Sequence, residues 1–103
     1  MNIIIATNHP LVLHGLRSGQ PLGVSVNIPP VIEHRGISVP DILEAIVHIA
    51  RDVDIGLFAA WLVKKTEIDK HGTKLHINRI EVDLEQGEII RVVTEQIHQS
   101  RED

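Results

Sequence analysis

A chain of 103 residues with 43% apolar and 23% charged side chains is long enough for one hydrophobic core and no more, so a single domain over residues 1–103 is expected. The absence of cysteine excludes disulfides, thiolate catalysis and cysteine-ligated zinc or iron–sulfur sites together. The formal net charge of −4 is unevenly spread, with no acid before Glu33 and a strongly acidic stretch from Glu81 onward, and there is neither a basic patch nor an aromatic platform for nucleic acid.

Residues 2–7, rich in isoleucine and closed by Asn8-His9-Pro10, predict a buried strand. Residues 11–17 fit either a helical turn capped by Asn8 or a second strand. After the turn at Ser18-Gly19-Gln20-Pro21, Val24, Val26 and Ile28 alternate with Ser25 and Asn27, the pattern of a half-buried strand, which Pro29-Pro30 ends.

Ser38, Pro40 and Asp41 together make a helix start: a hydroxyl cap, a first-turn proline that needs no partner, and an acid in the favourable field of the dipole. From there Ile42, Ile46, Ile49, Val53, Leu57 and Ala60 recur at spacings of three and four and predict a helical region over residues 39–65. It is either one kinked helix or two, divided where Asp54 supplies a cap and Gly56 a bend. Residues 55–63 are apolar on every side, and a helix of that kind needs covering all round, by the centre of the fold or by a second molecule. The same run is about half the length that spans a bilayer, so no membrane segment is expected.

Asp69-Lys70-His71-Gly72 predicts a turn. Leu75 and Ile77 precede Ile80, Val82 and Leu84, and the alternation changes phase at Asn78-Arg79, the sign of a bulge or of a strand buried on both faces. Glu85-Gln86-Gly87-Glu88 then predicts a hairpin turn and residues 89–94 its β-branched return strand, although Ile89, Val93 and Ile97 also form a helical row. Residues 98–103 are expected to be a disordered acidic tail. Packed together, these elements predict an α+β two-layer sandwich: a mainly antiparallel sheet of about four strands against a long or kinked central helix, in the order ββαββ.

Seven histidines call for a metal test. His9 and His14 are five residues apart, as are His71 and His76, and no two have the spacing of three or four that sets imidazoles on one helix face, so neither a metal nor any other cofactor is expected. His48 and Asp52 do have a helical i,i+4 spacing, which would orient an imidazole as a general base. Glu33-His34-Arg35 is the densest polar cluster of the first half, where Arg35 would orient an anion and His34 or Glu33 move a proton. The chain lacks a nucleophile elbow, a phosphate loop and a dinucleotide glycine fingerprint. Residues 3–17 resemble the opening strand and helix of a response-regulator receiver domain; the resemblance implies an acidic, magnesium-holding pair where this chain has Thr7 and Asn8, so it carries no receiver function.

The expected function is accordingly that of a small self-associating binding or regulatory protein without catalytic activity, a homodimer joined through Leu57, Phe58, Trp61 and Leu62. The absence of cysteine and of any basic residue before Arg17 makes a cytoplasmic setting the expected one. Two readings compete: a small enzyme with an acid–base site at Glu33, His34 and Arg35, and a protein-interaction module that docks through an exposed strand or through the acidic C-terminal hairpin around residues 83–88, with Glu81 beside it.

Overall fold

The isoleucine-rich run at the amino end becomes the central strand of a five-stranded antiparallel sheet. The computed structural model describes residues 1–29 and 42–102. The chain runs β1 (Asn2–Thr7), α1 (Pro10–Gly15), β2 (Val24–Asn27), β3 (Leu43–Ile49), α2 (Ile55–Thr66), a 3₁₀ turn, β4 (Leu75–Ile77), β5 (Ile80–Val82) and α3 (Gln86–Glu102). In space the strands lie in the order β2-β3-β1-β4-β5. Strand β3 is inserted between β1 and β2, and β1 between β3 and β4, so two split β-α-β units interlock.

The α+β class holds, but the order ββαββ and the single central helix do not. Residues 43–49, expected as helix, form a strand in which Ala45, Val47 and Ile49 are buried and Glu44, Ile46 and His48 are exposed. The segment satisfies both periods, and pairing decides between them: β3 runs antiparallel to β1 from Asn2↔His48 to Thr7↔Leu43 and to β2 from Val24↔Ile49 to Asn27↔Ile46. The helix begins only at Ile55, where the Asp54 carboxylate accepts from the Leu57 N–H at 3.0 Å. The expected helix start at Ser38, Pro40 and Asp41, and with it Glu33, His34 and Arg35, lies outside the described residues.

Residues 89–94 are the second correction. They belong to α3, whose Ile89, Val92 and Val93 are buried at helical spacing against the core that also holds Phe58 and Leu62 of α2. Their β-branched preference for strand is overridden by burial against a neighbouring helix. The helix runs on to Glu102 and so includes most of the stretch read as an acidic tail. On its exposed side Arg91 pairs with Glu88 and Glu95, and its hydrogen bond holds the Glu88 carboxyl below the usual range.

The phase change at Asn78-Arg79 is a two-residue hairpin turn between β4 and β5, with Ile77 paired to Ile80 and both turn residues at positive φ, 49° and 71°. Arg79 is exposed and strained there. Arg79→Gly is expected to stabilise the fold by about 0.5–1 kcal/mol, the relief of strain exceeding the extra entropy of an unfolded glycine. A higher urea midpoint at unchanged slope would show it.

The core lies between the sheet and the helices. Ile3, Ile5, Val47 and Ile77 from the inner sheet face meet Leu13 of α1, Phe58 and Leu62 of α2 and Val93 of α3. All three helices therefore contribute to one face. None of the helices among the described residues is long and apolar enough to cross a membrane.

Candidate functional site

Alternation along the strands fixes what the sheet's other face presents. Opposite Ile3, Ile5 and Val47, which point into the core, Ile4 and Ile46 point outward as a cross-strand pair at the centre of that face. Ile46 is 38% exposed, and Ile42, just before β3, is 44% exposed. On one side of this apolar centre stands the row Ser25, His48 and Asn2; on the other stand Glu44, Ala6, His76 and Glu81. The first row is neutral or basic and the second carries two acids. His48 is held upright by its Nδ1, 2.9 Å from the Asn2 Oδ1.

The candidate pair His48 and Asp52 is not brought together. His48 stands on a strand rather than a helix, Asp52 lies exposed in the turn beyond it, and no hydrogen bond joins them. The four residues expected at an interface are divided. Phe58 and Leu62 are fully buried within this chain, and Trp61 is nearly so, its ring 5.9 Å from that of Phe58 and its indole N–H donating to the Ser18 carbonyl. Leu57 alone faces outward, 60% exposed. The all-round apolar character of residues 55–63 is thus met partly by this chain's own core and partly by exposure of Leu57 and Ala60.

Sequence reading missed a polar corner at the end of β1. The Asn8 side chain donates to the Gly72 carbonyl at 2.9 Å and accepts from the Lys74 N–H at 2.7 Å, so it clamps the turn before β4. His9 Nε2 lies 4.0 Å from the Asp69 carboxylate, which also caps the Gly72 N–H. The His9 and His76 Nδ1 atoms are buried and have no hydrogen-bond partner among the described residues. Asp69-x-x-Gly72 was legible as a turn, but its approach to His9 crosses most of the chain. At 4.0 Å the pair is too long for a hydrogen bond. Among the described residues no three histidines or carboxylates gather as a metal set.

The acidic stretch is not the expected hairpin. Glu81 is on β5, while Asp83 and Glu85 belong to the link into α3, and they border a shallow groove of about 420 Å³ together with Lys70 and Lys74. Those cations offset the acidic field that would draw a basic partner. A second groove, of about 540 Å³, lies between the β3–α2 turn and α3. No family model, curated protein or solved structure matches the chain.

Proposed function

We propose that this is a small binding or regulatory protein without catalytic activity, which associates with a second copy of itself through the outer face of its sheet. The observation that carries the reading is the Ile46–Ile4 pair, with Ile46 exposed and Ile4 half-buried, at the centre of a face whose other side takes all three helices. The charges around that pair favour one arrangement. A two-fold axis parallel to the sheet and perpendicular to the strands stacks β3 on its copy in reverse, setting His48 of each subunit over Glu44 of the other and Ile46 over Ile46. An axis along the strands would instead oppose the two acidic rows. A cytoplasmic location accords with this reading, supported by the cysteine-free composition.

The face measures roughly 20 by 15 Å, smaller than a standard interface, so the dimer is weak and micromolar. Sedimentation velocity across a concentration series tests it, with a rise in weight-average mass at about 100 µM expected at this affinity. Ile46→Asp, which leaves the core untouched, is expected to weaken association at least about a hundredfold by burying an unpaired carboxylate. His48→Glu alone should weaken it about tenfold, and adding Glu44→His should restore it by exchanging the partners. A wild-type chain that stays monomeric, or an Ile46→Asp variant that still dimerises, would overturn the reading.

A further inference from the structure

The larger groove has a composition unlike the rest of this acidic protein. Its floor is made by Ile49 at the end of β3, Val53 in the following turn, Ile55 at the start of α2 and Ile97 on α3. Val53, Ile55 and Ile97 are only partly buried against the core, so each turns apolar surface toward the opening. Its exposed rim holds Arg51, His98 and Ser100, and the half-buried Thr94 adds a second hydroxyl. Among the described residues no acidic side chain lines it, although the chain carries 14 acids against 10 lysines and arginines. The nearest acid in α2's approach, Asp54, is engaged in capping that helix. Arg51 makes no ion pair among the described residues.

From this we infer that the groove is a binding site for a small amphipathic carboxylate, with its hydrocarbon chain laid along Ile49, Val53, Ile55 and Ile97 and its carboxylate held by Arg51 and His98. The volume of about 540 Å³ lies within the range of small-molecule sites. Four apolar side chains from three separate elements and a turn line the space, as a chain of methylenes requires. The rim supplies what a carboxylate requires: a planar guanidinium able to bind both oxygens, a second imidazole donor, and hydroxyls. A neutral apolar ligand would use the floor and leave the rim idle. A cationic one would meet Arg51.

Titration of octanoate into the full chain, followed by backbone amide shifts, tests the assignment. Shifts are expected at residues 51, 53, 94 and 97, saturating in the millimolar range or below, and decanoate should bind roughly fifteenfold more tightly because each of its two further methylenes, once buried, is worth a factor of about four. Octanol should bind about tenfold more weakly than octanoate, and Arg51→Gln should reduce octanoate affinity by a similar factor while leaving octanol unchanged. Absence of groove shifts at about 10 mM octanoate, well above a site of this kind, would overturn the inference. So would equal binding of octanoate and octanol, or an Arg51→Gln variant with undiminished octanoate affinity. The groove shares no residue with the Ile46 face, so either proposal can fail without the other.

Discussion

Phe58→Ala is expected to destabilise the monomer by about 3–5 kcal/mol, the largest effect of any single truncation in the molecule. The ring is fully buried, packs at 5.9 Å from Trp61, and lies in the cluster that joins the inner sheet face to α2 and α3. Its removal forfeits the transfer energy of an aromatic side chain and leaves a cavity that the packed side chains around it close only in part. Against a typical total stability of about 5–15 kcal/mol, that loss removes from about a fifth to all of the fold's margin. Urea denaturation should show it at every protein concentration alike, since the contacts are made within one chain. Leu57→Ala, one residue away on the exposed side of the same helix, should stay within about 0.5 kcal/mol. If the Phe58 variant instead lost stability only on dilution, the ring would be acting at a subunit interface and its place in the monomer core would be wrong.

The contrast between Leu57 and Phe58 marks the limit of what the sequence made legible. Ile3 and Ile5 announced β1, Val24 and Val26 announced β2, and Asp54 stood ready as the cap of α2. Residues 43–49 could not be resolved locally, because Ile42, Ile46 and Ile49 keep a helical spacing while Leu43, Ala45, Val47 and Ile49 keep a strand spacing. Only the availability of β1 and β2 as partners breaks the tie, and that is a long-range fact. The outer face was hidden for the same reason: Ile46 and His48 share a surface with Ile4 and Asn2 only once β3 is a strand in this register. The 540 Å³ groove is more remote still, since its floor and rim come from the β3–α2 turn and from a helix that the β-branched run of residues 89–94 disguised as a strand. All-round apolarity in residues 55–63 was a sound reason to expect cover. This chain's own core covers Phe58, Trp61 and Leu62 while Leu57 and Ala60 stay exposed, and the case for a second subunit rests on the Ile46–Ile4 pair.

Asn78→Ala is expected to cost about 2–4 kcal/mol, more than its position in a tight turn suggests. Strand β4 ends at Ile77, yet the Ile4 peptide still faces that edge with both polar groups. Asn78 satisfies both: its N–H donates to the Ile4 carbonyl at 2.8 Å, and its side-chain oxygen accepts from the Ile4 N–H at 2.8 Å. Its amide nitrogen donates to the Gln96 side-chain oxygen at 2.7 Å, tying the hairpin to α3. It does this at φ 49°, a conformation that asparagine tolerates better than most residues. Alanine would leave the Ile4 N–H of the central strand without its partner and add left-handed strain. Glycine would remove the strain but not the loss, and should cost about 1–3 kcal/mol. Aspartate keeps the acceptor for Ile4 and can accept from Gln96 once that amide turns over, so it should cost less than about 1 kcal/mol. Urea midpoints in the order Asn, Asp, Gly, Ala, with faster hydrogen exchange at the Ile4 amide in the last two, are the expected result. Equal stability of the glycine and alanine variants would remove the strain from the account, and a neutral alanine variant would remove the hydrogen bonds as well, leaving β1 held to β4 by its strand ladder alone.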